Sequence, residues 1–484
     1  MAYPVCVLIA DTRREQFPLV AGQWAMLRGM PCWRLDLADG DFPAQSFGPQ
    51  TLLALSYPAL SKLGATELRA LNAIVRQGAT LYVRGGFESG AIRSLSPFGS
   101  GAFKVSSRKT SLGYQLTDHD LVPDVLRTET AQAETALPGA QLADCAAQGL
   151  ACAATGGMLP FIFALRCGLG VVIYDLMPDE VALVAETPIL QRLSDPAARC
   201  SELGALIAVN YAVGRENAPI AAYNILLDDR PRNYDYLNAG RVTRWLGHLD
   251  SIAAGTHVDF AWTPIYSHPG RRYIRALKRF NTGFIWHGLL RHIDHRGLKE
   301  PAASYARGLR FVGQISRRYG VRFEPVIVLP YQEADRDILR YLGEAGFRAA
   351  VFNSDLRAGL ENPLPAFMRH STALHELYLD YLPVLRRYPA PALGRDLMLA
   401  NAALGLPIIA AGHPENVGLR RLAPLYAPRQ PVSRYFDEVV GFARAKRLRP
   451  LSLEEIATEM ISRPRPVREA ITWRTTVERI DVAV

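Results

Sequence analysis

Lysine is scarce in this chain. Of its 484 residues 55 are Lys or Arg, and only six of these are Lys. The formal net charge is +9 at pH 7, but the Arg residues that carry it are spread along the chain rather than clustered. Nucleic-acid-binding proteins usually concentrate their basic residues on one face or in one stripe. The charge pattern therefore argues against a nucleic-acid partner and is equally compatible with an anionic sugar substrate.

The chain also lacks any CxxC pair. Its six cysteines lie at irregular spacings in apolar surroundings. A disulfide framework or a thiolate zinc site would need paired or regularly spaced cysteines. We therefore expect the cysteines to be reduced residues of the core.

A long apolar segment is missing as well. The run "VCVLIA" near the amino terminus spans six residues and is followed by Asp11, Arg13 and Arg14. The longest apolar run elsewhere, "MLPFIFALRCGLGVVIYDL", is interrupted by Arg166 and two glycines. A membrane-spanning helix needs about 20 consecutive apolar residues. We expect a protein of the cytoplasm without a transmembrane segment.

The distribution of cysteine and histidine divides the chain. No Cys follows position 200, whereas nine of the ten His lie at or after position 248. The length of 484 residues exceeds what one hydrophobic core usually serves, and Pro and Gly residues between positions 200 and 220 are typical of a domain boundary. We predict a first domain over residues 1–205, a second over residues 215–430, and an extension over residues 431–484 that packs on the second.

Strand and helix patterns alternate in the first domain. "VCVLIA" (residues 5–10), "GATLYVRGG" (78–86) and "GLGVVIYDL" (168–176) have the unbroken apolar character of buried strands. Between the first two, "TELRALNAIVRQG" has apolar residues at helical spacing, with Thr66 as the predicted N-cap and Gly78 as the stop. Buried strands joined by helices indicate a parallel sheet covered by helices.

The pattern "LRALNAIVRQGATLYVRGG" resembles the class I glutamine amidotransferase-like domains, of flavodoxin type, that are appended to some sugar-processing enzymes. Catalytic amidotransferases carry a nucleophilic Cys on a sharp turn after such a strand. Here the corresponding turn, "RGGFESG", contains no Cys. The resemblance implies a flavodoxin-like parallel-sheet domain that has no nucleophile and serves a structural or sugar-positioning role.

Strand-like segments of the second domain repeatedly end in polar residues. Those residues are Asp228 with Asp229, His287, Tyr331, Asp355 and His413. Helical segments such as "EADRDILRYLGEAG" lie between the strands. Repeated strand and helix units with polar residues at one rim describe a (β/α) barrel, in which the carboxyl ends of the strands hold the active site.

These segments resemble the motifs of the polysaccharide deacetylase family, the NodB-homology carbohydrate esterases. "LLDD", "WHGLLRH", "VLPY" followed by "QEADRDILRYLGEAGFRAAV", and "PIIAAGHPEN" match the family's motifs in their order. The resemblance implies a NodB-like distorted barrel that binds zinc or another divalent transition metal. It makes Asp228 the general base, Asp229 a metal ligand and His413 the general acid. The backbone N–H of Tyr331 would bind the oxyanion, and Asp355 would orient the general acid.

Two departures from the family pattern bear on activity. Family members usually carry an Arg before the Pro-Tyr pair that orients the catalytic Asp, whereas Val328 and Leu329 stand here. Either another Arg replaces it or turnover is weaker. The two family histidines are usually four residues apart, whereas His287 and His292 are five apart.

A catalytic zinc takes three protein ligands. With Asp229 as one of them, two more are needed from three candidate histidines. His287 at a strand end with His292 on the first helical turn is the favoured pair. His292 with His295, at i and i+3 on one helix face, is the alternative. His287 and His295 are eight residues apart, about 12 Å along a regular helix, so they share an ion only if the segment is irregular. A helix start with solvated histidines is the remaining interpretation.

Other residues carry weaker expectations. Trp262, Trp286 and Tyr331 would either stack on sugar rings or pack in the core. Four histidines have no motif around them, and we expect them at the surface or in capping positions: His248, His257, His268 and His375.

The sequence therefore predicts a metal-dependent deacetylase that removes an N-acetyl or other N-acyl group from an amino-sugar-containing glycan, glycoside or precursor. The expected partner is that substrate. The sequence is compatible with a homo-oligomer but does not decide the oligomeric state. The missing motif Arg and the shifted histidine spacing motivate one alternative, a catalytically degenerate protein that binds or assembles glycans.

Overall fold

The structure is a computed structural model. It describes residues 5–10, 21–22, 24–25, 28, 30, 32–37, 47–85, 90–107, 113–132, 137–143, 146–153, 159–177, 196–214, 220–228, 239–262, 271–288, 301–329, 336–353, 377–379, 382–389, 393–413, 433–462 and 472–474.

The described residues form a mixed α/β protein. The strands are β1 (Val5–Ala10), β2 (Cys32–Asp36), β3 (Thr51–Ser56), β4 (Thr80–Arg84), β5 (Ile92–Ser94), β6 (Ala102–Ser107), β7 (Gly113–Leu116), β8 (Thr130–Gln132), β9 (Pro138–Ala143), β10 (Gln148–Ala153), β11 (Pro160–Cys167), β12 (Gly170–Asp175), β13 (Ala222–Asp228), β14 (Val258–Trp262), β15 (Thr282–His287), β16 (Val326–Val328), β17 (Ala349–Asn353), β18 (Leu377–Leu379), β19 (Leu382–Pro389), β20 (Ile408–Gly412), β21 (Arg449–Pro450) and β22 (Thr472–Arg474). The helices are α1 (Tyr57–Lys62), α2 (Ala65–Arg76), α3 (Pro196–Val213), α4 (Ala239–Ile252), α5 (Arg271–Leu277), α6 (Pro301–Tyr319), α7 (Arg336–Glu344), α8 (Arg395–Leu404), α9 (Ser433–Ala445) and α10 (Leu453–Ile461).

The chain divides into two compact units. One contains Met1–Ala218 with Pro464–Val484, and the other contains Pro219–Arg463. We expected residues 431–484 to pack on the second domain as one extension, but this segment is divided between the two units. Its helices α9 and α10 belong to the second unit, whereas β22 pairs in parallel with β2 of the first.

The first unit is built on a sheet of ten strands in the order β22-β2-β1-β3-β4-β12-β11-β10-β7-β8. The strands from β22 to β12 run parallel to one another. Those from β12 to β8 pair antiparallel, so the sheet that we predicted as parallel is mixed. Fully buried strands such as β3, β4 and β12 are typical of a parallel region covered on both faces. A separate antiparallel sheet contains β5, β6 and β9.

Helix α2 connects β3 to β4 and corrects one predicted detail. The helix begins at Ala65 with Gly64 as its N-cap, so Thr66 lies inside the helix. The reason is Glu67, whose carboxylate accepts a hydrogen bond from the backbone N–H of Gly64 at 2.6 Å. This bond gives the N-cap N–H a partner and stabilises a helix that starts at Ala65. The predicted stop is confirmed: Gly78 follows the helix with φ of 128°, which favours glycine.

The second unit is built on a barrel-like parallel sheet. Its strands follow the order β14-β15-β16-β17-β19-β20-β13, and β13 pairs in turn with β14. All of these pairings are parallel, so the carboxyl ends of the seven strands form one rim. The short strand β21 pairs with the start of β13, and β18 pairs antiparallel with β19.

An apolar cluster packs strands of the second unit against α10. Leu226, Ile285 and Val328 contribute from the strands and are at most 1% exposed, and Leu453 and Ile456 contribute from α10. Ser452 is the N-cap of α10, since its hydroxyl accepts a hydrogen bond from the backbone N–H of Glu455 at 3.2 Å. The cluster attaches α10 firmly to the barrel.

Two expectations about composition can be compared with the described part of the chain. The cysteines that it includes are free and buried, which confirms their assignment to the core: Cys6, Cys32, Cys152, Cys167 and Cys200. No helix among the described residues combines the length and the apolar character that crossing a bilayer requires.

Candidate functional site

Three of the predicted site residues lie at the same rim of the barrel. Asp228 is the last residue of β13, His287 is the last residue of β15, and His413 follows β20 directly. Because these strands belong to one parallel barrel, their carboxyl ends are neighbours. The rim therefore holds a carboxylate and two imidazoles together.

Asp228 is the most enclosed of these groups, with 3% of the residue exposed. Burial alone would raise the pKa of its carboxyl group, but the charges of Arg387, His287 and His413 outweigh burial and lower the pKa below its usual value. Arg387 donates a hydrogen bond to Oδ2. Within the part of the chain that the structure describes, Oδ1 has no hydrogen-bond partner. Asp228 is therefore an ionised carboxylate with one oxygen oriented by protein and one available for chemistry.

Arg387 is a site residue that the sequence did not identify. It lies on β19 opposite Asn353 of β17, and it is 7% exposed. Its contact with Asp228 supplies an Arg from another strand in place of the missing motif Arg. The signal in the sequence was the short run "LPVLRRYP", in which two Arg follow apolar residues. With 49 Arg in the chain, that run did not stand out.

The two imidazoles are oriented by backbone carbonyls. Nδ1 of His413 lies 3.0 Å from the carbonyl oxygen of Asp228, and Nδ1 of His287 lies 3.3 Å from that of Val328. A carbonyl oxygen only accepts, so each Nδ1 carries the proton and donates it. When either ring is neutral, its lone pair is on Nε2. A ring N–H bound to a carbonyl is the usual second contact of a metal-binding histidine, so His287 fits a metal site.

The other predicted site residues lie outside the described part of the chain. They are Asp229, His292, His295, Tyr331 and Asp355. Their assignments stay predictions, as does the choice between the histidine pairs.

The aromatic residues near the rim pack in the core. Trp262 is 1% exposed and its ring lies 4.5 Å from that of Phe284, while Trp286 is 5% exposed and lies 5.8 Å from Phe323. Of the two interpretations of these tryptophans, sugar stacking and core packing, the structure favours the second.

His257 corrects another expectation. We expected it at the surface or in a capping position, but it is 7% exposed and lies beside Asp259 and Glu324, which are also buried. The three residues each direct one ligand atom to a common point, with all three atoms within 4.8 Å of one another, a geometry that could hold a metal ion. Burial opposes the charge of the imidazole, but Asp259 and Glu324 raise the pKa of His257 to about 9. Burial and Asp259 raise the pKa of Glu324 to about 8. His248 is exposed, as expected.

Comparisons with known proteins show the fold. No protein-family model matches the chain, and no curated protein matches its sequence. The chain is similar to the crystal structure of Agd3, a novel carbohydrate deacetylase, with 11% identity and a TM-score of 0.57 over 96% of this chain and 88% of that one. It is also matched to a family 4 carbohydrate esterase from Streptomyces lividans, with 11% identity and a TM-score of 0.26 over 47% of this chain and 88% of that one. The likeness to Agd3 extends over both units, whereas the second match is too weak to support an argument.

Proposed function

We propose that the second unit is a NodB-like barrel that hydrolyses the N-acyl group of an amino sugar with the help of a divalent metal ion. The observation that carries this proposal is the environment of Asp228. A buried carboxylate is kept ionised by Arg387 at a barrel rim, and His287 and His413 lie beside it. The fold shared with Agd3, a carbohydrate deacetylase, supports the substrate class.

Hydrolysis of an amide requires a deprotonated water, a stabilised oxyanion and a protonated leaving amine. Asp228 would accept the proton of the attacking water, because its pKa is lowered and its Oδ1 makes no bond to the described protein. A positioned general base typically contributes about 10²- to 10⁴-fold to the rate. Arg387 would hold this carboxylate in place through Oδ2.

His413 would protonate the departing amine. Its Nδ1 is engaged with the carbonyl oxygen of Asp228, so Nε2 is the atom that would carry the transferred proton. We assign Asp355 as the residue that orients this ring. The backbone N–H of Tyr331 would bind the oxyanion, an interaction typically worth about 2.7 to 4 kcal/mol.

The metal would be held by Asp229, His287 and one further histidine, with His292 favoured over His295. Oxygen and imidazole donors in that number suit zinc or another divalent transition metal. The tautomer of His287, with its proton on Nδ1, leaves Nε2 for the ion. When bound, such an ion lowers the pKa of water and polarises the acyl carbonyl.

The first unit would be a flavodoxin-like, amidotransferase-like domain without the catalytic nucleophile. The parallel strand order β2-β1-β3-β4-β12 supports this assignment, since the flavodoxin arrangement has a comparable order. Its proposed role is to support the barrel or to position a glycan.

The alternative, a degenerate glycan-binding or assembly protein, now has less support. Its first motive was the missing motif Arg, and Arg387, which contacts Asp228, would take over the role of that residue. Its second motive, the histidine spacing, concerns residues outside the described segments.

The test is acetate release from N-acetylhexosamine oligosaccharides by the full chain loaded with zinc. Asp228→Asn preserves the size of the side chain but removes the base, so we expect the rate to fall by at least about 10²-fold. Glu344→Gln, which changes an exposed carboxylate of α7, is the matched control and should leave the rate unchanged.

Zinc content distinguishes catalysis from metal binding. Asp228→Asn should keep the zinc of the parent protein while losing acetate release. A parent protein that binds no divalent metal, or that releases acetate equally well as Asp228→Asn, would overturn the proposal in favour of the binding protein.

A further inference from the structure

A second polar cluster lies at the opposite end of the barrel. His257 directly precedes β14, Asp259 is its second residue, and Glu324 precedes β16. The nearby Gly283 is the second residue of β15, which ends at His287. Four residues of strand between Gly283 and His287 correspond to about 13 Å. This cluster is therefore separate from the rim that contains Asp228.

The ring of His257 has a fixed tautomer. Its Nδ1 lies 2.9 Å from Oδ1 of Asn281, and the amide nitrogen of Asn281 donates to the carbonyl oxygen of Gly255 at 2.9 Å. The oxygen of the Asn281 amide consequently faces the ring and accepts its proton from Nδ1. Nε2 is therefore the ring atom directed at the two carboxylates.

Each carboxylate has one oxygen held by the protein. Oδ2 of Asp259 accepts hydrogen bonds from the side-chain amide of Asn224 at 2.8 Å and from the backbone N–H of Leu453 at 3.0 Å. Oε2 of Glu324 accepts from the backbone N–H of Glu454 at 3.1 Å. In each of the three residues, the polar atom that faces away from the cluster is hydrogen-bonded to protein. Such bonds are usual for residues that bind a metal ion.

The inward atoms converge where Gly283 has no side chain. A Cβ at Gly283 would lie 2.0 Å from Oδ1 of Asp259, 2.7 Å from Oε1 of Glu324 and 3.0 Å from Nε2 of His257. Any other residue at position 283 would fill this space. The absence of a side chain at that position is what lets all three atoms approach one another beside the strand.

Either protons or a metal ion must lie between these atoms. Nε2 of His257 lies 3.1 Å from Oδ1 of Asp259, and a lone pair repels a carboxylate oxygen unless a proton or a metal ion lies between them. A proton bridges two atoms, whereas a metal ion binds three. Two ligands of a tetrahedral zinc, each about 2.0 to 2.1 Å from the ion, lie about 3.3 Å apart, which is close to the observed separation.

We infer that His257, Asp259 and Glu324 form a binding site for a divalent transition-metal ion such as Zn²⁺. One imidazole and two carboxylates suit this class of ion. The site is buried and its outer contacts include the first backbone N–H groups of α10. The bound ion would therefore join β14 and the segment before β16 to the start of α10, in a structural role that does not depend on the proposed hydrolase activity.

The test measures zinc per chain in a background that lacks the proposed rim ligand. Full-length His287→Ala protein is stripped with a chelator, reloaded with zinc chloride and dialysed. We expect this parent to retain one zinc ion, the variant that also carries Glu324→Gln to lose it, and the variant that also carries Glu344→Gln to keep it. Circular dichroism establishes that each variant is folded. Equal zinc in the parent and the folded Glu324→Gln variant, including none in either, refutes the site.

Crystals of the wild-type chain grown with zinc give an answer even if Glu324→Gln fails to fold. An anomalous difference peak should lie about 2.0 to 2.2 Å from Nε2 of His257, Oδ1 of Asp259 and Oε1 of Glu324. Crystals without a peak at that position would mean that a second proton on His257 occupies the cluster, and the inference would be wrong.

Discussion

Replacing Arg387 by Met tests the ion pair at the centre of the candidate site. The side chains of Arg387 and Asp228 are only 8% and 5% exposed. Met keeps much of the apolar stem of Arg but removes the charge, so Asp228 would remain buried without its main counter-charge. Removing one partner of a buried ion pair typically costs about 3 to 5 kcal/mol. We expect a loss of this size in the free energy of unfolding at pH 7.

The loss should depend on pH in a defined direction. In the wild-type protein the pKa of Asp228 is lowered, so the folded state is stabilised above the unfolded pKa of about 3.9 and this contribution disappears as pH falls through the folded value. Without Arg387, burial raises the pKa of Asp228, and stability decreases as pH rises through that value. The difference between the two proteins should therefore be large at pH 7 and should shrink as pH falls below about 3.9.

Urea unfolding at a series of pH values, followed by circular dichroism, measures this difference. Arg275→Met, on the exposed surface of α5, is the matched control because Arg and Met have similar helix propensities, and it should change stability by less than about 0.5 kcal/mol. A loss in Arg387→Met that matches the control at pH 7, or that does not vary with pH, would refute the assigned ion pair. In the enzyme assay the acid limb of kcat/KM should move to higher pH, because Asp228 acts as a base only when ionised.

Further substitutions test a helix cap and two glycine positions. Ser452→Ala removes the side-chain cap of α10 and should lower stability by about 1 kcal/mol in urea unfolding, whereas Ser462→Ala at the exposed end of that helix should have a smaller effect. Gly170→Ala would place a Cβ 2.2 Å from the carbonyl oxygens of both Ala79 and Val75 and should cost at least about 1 to 3 kcal/mol. Gly441→Ala, inside α9 with no atom within 4 Å of the added carbon, should instead raise the thermal midpoint, since Ala favours a helix by about 0.5 to 1 kcal/mol over Gly. Equal effects of Gly170→Ala and Gly441→Ala would contradict the packing described for β12.

The strands of the barrel were predictable because their signals are local. An apolar run that ends in a polar residue is visible in ten letters, and Asp228, His287 and His413 were found in this way. A local signal is misleading where two neighbouring residues could each define a helix start, as at α2. There Thr66 has the better capping side chain, but Glu67 satisfies the N–H of Gly64 and sets the helix start earlier.

Residues whose role depends on distant partners were not predictable. Arg387 is 159 residues from the carboxylate that it contacts, and nothing in its own surroundings distinguishes it from the other Arg. His257 was assigned to the surface because no motif surrounds it, yet its partners Asn281 and Glu324 come from other segments of the unit. Such sites form only when the barrel brings residues from separate segments together. A search along the sequence cannot detect this proximity.

The alternation of side chains along the strands explains why the barrel has two separate polar clusters. Residues two apart on a strand share a face, so Gly283, Ile285 and His287 lie along one side of β15. The same spacing relates Asp259 to Ala261 on β14, and Asn224 to Leu226 and Asp228 on β13. Leu226 separates Asn224 from Asp228 on β13, Ile285 separates Gly283 from His287 on β15, and Ala261 follows Asp259 on β14; all three of these apolar residues are 0% exposed. These buried apolar residues lie between the rim that contains Asp228 and the cluster that contacts the start of α10.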